Sequence, residues 1–328
     1  MKSITNFRLR CPGRIQLASR LPLFVALALT VLPLLAVSHA EARTRAFPIP
    51  TGSQPISITM GPDGNFWFTL ANSSQVARIT PAGVITEFRT PTFSFPFDIT
   101  PGPDGNIWFS EGSSGQIGFI TPLGQITEIS FSLFDASSGI TTGPDNNIWF
   151  CDSTGNNVWR YELAAQALTK FPVPTPNSGP EGITTGPDGN LWFTERSAGK
   201  IGRITTSGVI TEVVSGLDNP RDIILGPDGK LWFNPAFEAE LGTLTTDGEV
   251  TYFPIPNRAE AIALGQNNTV LFTEFGFNKI GAITPEGVVA ESLEFSQSQP
   301  TGITAGSGRS VWFLGYGNNR VYKTTLPR

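Results

Sequence analysis

The sequence predicts an all-β protein, a seven-bladed β-propeller of four-stranded antiparallel blades. Three observations carry that expectation. A nine-residue stretch recurs, as GPDGNFWFT at Gly61, GPDGNIWFS at Gly102 and GPDGNLWFT at Gly186. The opening glycines Gly61, Gly102, Gly143, Gly186, Gly226, Gly265 and Gly306 are spaced by 41, 41, 43, 40, 39 and 41 residues. The chain also carries 35 Gly and 27 Pro in 328 residues, both of which weaken helix interiors. So regular a period marks a repeat architecture, and the pattern inside one copy says which.

The fourth copy shows the elements in order. GITTG, from Gly182, is short and apolar and reads as an inner strand. Pro187, Asp188, Gly189 and Asn190 form a turn, in which Gly and Asn tolerate positive φ. LWFTE is an aromatic and β-branched second strand, and KIGRIT alternates with period two as a third. After Ser207 and Gly208 turn the chain, VITEVV alternates again as a fourth. Four short antiparallel strands, repeated, make propeller blades, and the helical periodicity of other repeat folds is absent. The last copy ends after its third strand, NRVYKTT. Residues Arg45 to Pro50, RAFPIP, resemble the fourth-strand endings TKFPVP at Thr169 and TYFPIP at Thr251. Residues 41–51 are therefore expected to supply the outer strand of blade seven and close the ring, which removes exposed edges. Trp67, Trp108, Trp149, Trp192, Trp232 and Trp312 are expected to pack between neighbouring blades.

Residues 1–40 are a different material. Lys2, Arg8, Arg10, Arg14 and Arg20 precede the apolar run from Leu21 to Val37, and Ser38-His39-Ala40 follows with small residues at both ends. That order describes an export signal cleaved after Ala40. The expected product, residues 41–328, is exported to the periplasm, cell surface or medium, has no membrane span and is a monomer. Its 17 Lys and Arg stand against 27 Asp and Glu, a net charge of −10 in place of −5. Such an acidic surface excludes nucleic acid as a partner, because phosphate demands positive charge. It suits cations, small molecules, glycans and peptide or protein ligands. Cys151 alone remains, so no internal disulfide forms, and it reads as a small buried strand residue. With His39 in the signal, no histidine remains either, which excludes a Ser-His-Asp triad.

Blades of the form GPDGNLWFTE followed by KIGRIT and GxITE resemble the virginiamycin B lyase (streptogramin lyase) family of seven-bladed propellers, over about Phe47 to Thr325. The resemblance implies a divalent-metal-assisted lyase that opens a cyclic depsipeptide by elimination across a threonyl ester. It also implies histidines and glutamates from blades six and seven at one mouth. The family's P-H-A-I-T reads here as Ala259-Glu260-Ala261-Ile262-Ala263, and its E-P-H-G-I as Gln299-Pro300-Thr301-Gly302-Ile303. A further family glutamate falls at Tyr316.

Propeller geometry places the residues before each inner strand, and those after each aromatic pair, around one mouth. The first set is Ile56, Phe97, Ser138, Glu181, Arg221, Glu260 and Thr301. The second is Leu70, Glu111, Asp152, Glu195, Pro235, Glu274 and Gly315. A ligand-binding mouth is thus expected from Glu181, Glu195, Arg221, Glu260, Glu274, Thr301 and Tyr316, with Asp98 and Asp222 nearby. Glu181, Glu195, Glu260 and Glu274 are the candidate ligands for Mg²⁺ or Ca²⁺, which prefer oxygen. Glu260, Glu274 and Arg221 are the catalytic candidates, two as bases and one steadying an anion. Against these stands the reading that the acids cap backbone N–H groups of their own loops, above all Glu111 and Asp152. Two functions follow: a ligand- or partner-binding propeller, or a metal-assisted lyase or hydrolase acting on a cyclic ester, peptide or sugar through carboxylates.

Overall fold

Seven four-stranded antiparallel sheets follow one another in the computed structural model, which describes residues 44–50, 52–131 and 137–326. Their inner strands are Pro55–Met60, Pro96–Pro101, Ser137–Thr142, Pro180–Thr185, Pro220–Leu225, Ile262–Leu264 and Pro300–Ala305. Each inner strand neighbours the next, and the seventh returns to the first. The seventh blade joins both ends of the ring. Arg45–Pro48 pairs antiparallel with Arg320–Thr325, placing Ala46 opposite Tyr322 and Phe47 opposite Val321. The outer strand expected over 41–51 is thus realised in four residues. The export segment 1–40 lies outside the described residues. Among those described, no helix is long and apolar enough to cross a membrane.

The repeated turn explains the repeated sequence. In blade four Gly189 takes φ 72°, the left-handed region that glycine enters without a Cβ penalty. Asn190 does not share that conformation, contrary to expectation. Its side chain instead donates to Asp188 Oδ2 at 2.8 Å, while its backbone N–H donates to Asp188 Oδ1 at 3.2 Å. The same Oδ1 accepts the Trp192 indole N–H at 3.0 Å. Asp63–Trp67, Asp104–Trp108, Asp145–Trp149 and Asp228–Trp232 repeat this bond at 3.0–3.1 Å. The aspartate lets a large ring be buried without orphaning its N–H.

Each indole then packs on the following blade. Trp67 is fully buried against Ile99, Ile107 and Phe109 of blade two. Trp312 stacks on Phe66 of blade one at 4.4 Å, sealing the seam between last and first. Burying each such side chain contributes about 1.5–3 kcal/mol, so the ring of tryptophans is a main source of stability. Arg78, Arg160, Arg203 and Lys323 lie over four of the indoles at 5.1–5.5 Å, adding cation–π attraction. Cys151 is free and fully buried in this interface, and burial with nearby acids pushes its thiol pKa well up, so it is inert.

Candidate functional site at the propeller mouth

A bulge in six of the seven first hairpins, all but that of blade six, builds the mouth. In blade four Pro180 pairs with Glu195 and Ile183 with Phe193, so Glu181 and Gly182 together face the single residue Thr194. The same shift falls between Pro55 and Ile58, Pro96 and Ile99, Pro220 and Ile223, and Pro300 and Ile303. Bulges re-aim side chains next to functional sites. Here they turn one residue per blade into a shared axial cavity of about 360 Å³. Glycine keeps the strands close: a Cβ on Gly182 would meet the Arg221 carbonyl oxygen at 2.6 Å.

In blades one, four and five the penultimate residue of the second strand fixes the next blade's mouth residue by its backbone. Thr194 Oγ1 accepts the Gly182 N–H at 2.8 Å and donates to the Arg221 carbonyl at 2.7 Å. Asn234 accepts the Asp222 N–H at 2.8 Å and donates to the Glu260 carbonyl at 3.2 Å. Arg221 and Glu260 are therefore held at their Cα atoms before their side chains meet.

The side chains form a charge rack. Arg221 Nη1 lies 2.7 Å from Glu260 Oε1, and its Nε lies 3.5 Å from Glu181 Oε1. Arg196 closes on Glu181 at 2.9 Å and Arg258 on Glu260 at 3.7 Å. Side-chain exposure of only 18–21% for Glu181, Arg221 and Glu260 makes this a half-desolvated network, in which the pairs count for more than on open surface. Burial opposes the Arg221 charge, but Glu260 and Glu181 more than offset it and hold its pKa above the ordinary value. Beneath the rack, Asp98 accepts the Ser57 hydroxyl at 2.8 Å and the Ile140 N–H at 3.0 Å, tying three blades together. Asp222 accepts the N–H groups of Ile223 at 2.9 Å and Ile262 at 3.3 Å. Burial, and then the charge of Asp98, push the Asp222 pKa up to about 7, and burial likewise raises Asp98. Ile56, Phe97, Phe275 and Tyr316 give the cavity apolar walls, with Phe275 and Tyr316 rings 5.8 Å apart.

The cavity brings together five of the seven residues expected at the mouth: Glu181, Arg221, Glu260, Thr301 and Tyr316. Thr301 is nearly buried, and its hydroxyl donates to the Pro55 carbonyl at 2.9 Å, joining blade seven to blade one. Glu195 and Glu274 are not among the residues lining it. Both are fully buried within their own blades. Strand alternation puts Glu195 on the same side as Phe193, which packs toward Trp149 and Cys151 of blade three. Glu274 accepts the Asn257 backbone N–H at 3.1 Å. Glu111 and Asp152 behave alike, taking the Ser114 hydroxyl at 2.8 Å and the Gly155 N–H at 2.7 Å. Sequence reasoning gave Asp98 and Asp222 only a passing place and missed Phe275. The Pro-x-x-Ile pattern that ends at Ile99 and Ile223 was the signal for the two aspartates.

The residues present do not fit the divalent cation that the family implies. Glu181 and Glu260 share the guanidinium of Arg221, which holds positive charge where a cation would sit. Among the described residues no three His, Cys, Asp or Glu side chains gather as a metal-holding group. The four-glutamate set expected for Mg²⁺ or Ca²⁺ is not assembled, because Glu195 and Glu274 are buried away from the cavity that Glu181 and Glu260 line.

Fold and site define a class first: a closed seven-bladed propeller with one polar and aromatic cavity at its mouth. The chain belongs to the virginiamycin B lyase family, whose sequence profile matches residues 34–215 and 213–327. The structure of selenomethionine-substituted virginiamycin B lyase from Staphylococcus aureus is 34% identical, with a TM-score of 0.82. That likeness covers 88% of this chain and all of that one. A catalytically inactive variant of the Staphylococcus aureus enzyme, determined with quinupristin, is 33% identical with a TM-score of 0.81 and the same coverage. A virginiamycin B lyase from Saccharopolyspora erythraea shares 47% identity over 49 residues, which is 15% of this chain and 16% of that protein.

Proposed function

We propose that this protein is an exported binding protein that captures a compact, peptide-like ligand in its mouth cavity. The observation that carries this reading is the Glu181–Arg221–Glu260 rack set among Ile56, Phe97, Phe275 and Tyr316. A cavity with few convergent polar groups and mostly apolar walls is the usual form of a small-ligand site. The rack is internally balanced, so it offers guanidinium donors and carboxylate acceptors side by side without a large net charge. That pairing matches amide N–H and C=O groups, and the aromatic walls match apolar side chains. Export rests on the signal-like order of residues 1–40. The inactive Staphylococcus aureus relative held with quinupristin supports a ligand of this class.

Family membership favours a second reading, in which the ring of such a ligand is opened by elimination. Elimination needs a base, and the chain's one histidine, His39, precedes the propeller. Asp222, with its pKa pushed up to about 7, is the mouth carboxylate poised to take a proton at neutral pH. Its oxygens already accept two backbone N–H groups, which favours the binding reading over this one.

Calorimetric titration with quinupristin, followed by chromatography of the recovered compound, separates the two. Binding with unchanged compound is expected, equally with and without chelator. A new peak of equal mass would establish elimination, and one heavier by a water would establish hydrolysis. No binding would remove the peptide-like ligand.

A further inference from the structure

One blade of the seven lacks the buried tryptophan, and a cavity lies there. Across blade four the strand residues Thr184, Trp192, Arg203 and Thr211 stand side by side. Blades one and three repeat the row as Thr59–Trp67–Arg78–Thr86 and Thr141–Trp149–Arg160–Thr169. In blade six the same row reads Ala263–Leu271–Ala282–Ala290. The indole, the cation over it and the flanking threonines are all replaced by smaller apolar side chains. The incoming turn has changed too. Asn267 stands where the aspartate receives the indole N–H elsewhere, and Asn267 and Asn268 are consecutive left-handed residues at φ 56° and 60°.

The space is not refilled by blade seven. A cavity of about 480 Å³ lies between the two blades, walled by Leu271, Ala282, Ala290, Ala305, Val311 and Leu326. That volume falls within the range of about 300–1,000 Å³ typical of small-ligand sites. It lies at the turn end of the strands, away from the mouth, so it is independent of the site described above. Arg309 is the charged side chain among its lining residues. One of its N–H groups donates to the Leu326 carbonyl at 3.2 Å, which stations the guanidinium at the cavity edge with further donors to spare.

We infer that this inter-blade cavity is a second ligand site, which takes a small planar aromatic carboxylate of about indole size. The ring occupies the place that an indole fills in six other blades, between the apolar walls of blades six and seven. The carboxylate pairs with Arg309, and on a chain with net charge −5 that local cation also sets the preference for an anion. A cationic aromatic finds no acid among the described lining residues and binds more weakly.

Isothermal titration of the protein with indole-3-acetate, indole and tryptamine tests the inference. One site for indole-3-acetate is expected, with indole about tenfold weaker and tryptamine weaker still. Leu271→Trp restores the blade row and should abolish binding. Ala282→Leu, which narrows the cavity with fewer added atoms, should weaken it and covers the case in which the tryptophan overpacks. Arg309→Ala should bring indole-3-acetate down to the affinity of indole, while Arg221→Met at the mouth leaves it unchanged. The inference is overturned if indole-3-acetate does not bind. It is equally overturned if binding survives both filling variants, or if Arg221→Met removes it.

Discussion

The two ends of each blade treat repetition in opposite ways. At the turn end, five blades make the same bond between a turn aspartate and a buried indole, with nearly identical distances. At the mouth end, the equivalent positions hold Ile56, Phe97, Ser138, Glu181, Arg221, Glu260 and Thr301, six residue types in seven places with only glutamate recurring. The turn end solves one packing problem five times with one answer. The mouth end is where apolar, polar and charged side chains from different blades meet around one cavity, and difference there is what shapes a binding surface. Blade six adds the converse case, a departure from the pattern at the turn end that opens a cavity.

Substitutions that respect or violate this division sharpen it. Trp192→Ala strikes the repeated end and should cost about 3–5 kcal/mol in denaturant unfolding, the range for deleting a buried tryptophan. Its folded fraction should still bind quinupristin as the parent does. A small loss of stability would mean that the indoles are not the chief cement between blades.

Glu195→Gln probes a repeated acid rather than a mouth residue. Burial, then the charge of Glu212, push the Glu195 pKa from 4.5 to about 7. A folded-state pKa above the unfolded one means the protonated form favours folding, and that stability is lost as pH rises from about 4.5 through 7. The glutamine variant cannot ionise, so it should be more stable than the parent at pH 8, by about 2–3 kcal/mol, with the gap closing toward pH 4. Urea unfolding at both pH values reads this directly. A gap that widens toward acid would show that Glu195 is charged in the fold.

Asp188→Ala removes the acceptor of the buried Trp192 indole N–H and of both Asn190 donors and should cost about 1–3 kcal/mol, with no change in ligand affinity. A loss as large as that of Trp192→Ala would show the turn, not the ring, to be the anchoring element.

Much of this was legible in the sequence. The seven copies, the tryptophans between blades and the closing strand at Arg45–Pro48 followed from periodicity and from one missing strand. The meeting of Glu181, Arg221 and Glu260 followed from their equivalent positions in consecutive copies. What did not follow was direction within a strand. Glu195 and Glu274 end strands that point at the mouth, yet side-chain alternation buries both outside the cavity, so proximity in sequence to the mouth did not mean access to it. Nor could periodicity show that the Arg221 guanidinium would hold both carboxylates, since that pairing depends on the bulges that aim Glu181 and Arg221 inward. The Leu271 position was visible as a worn repeat, but the void beside it depends on what blade seven does not supply.

The most direct measurement is quinupristin affinity by calorimetry for Arg221→Met beside the parent, with the melting temperature of each. The variant should lose about tenfold or more in affinity, because the donors at the centre of the rack are gone. Its stability should fall by only about 1–2 kcal/mol, since the two carboxylates it leaves behind are partly reached by water. Unchanged affinity in a folded Arg221→Met protein would contradict the claim that the unrepeated end of the blades is where this propeller does its work.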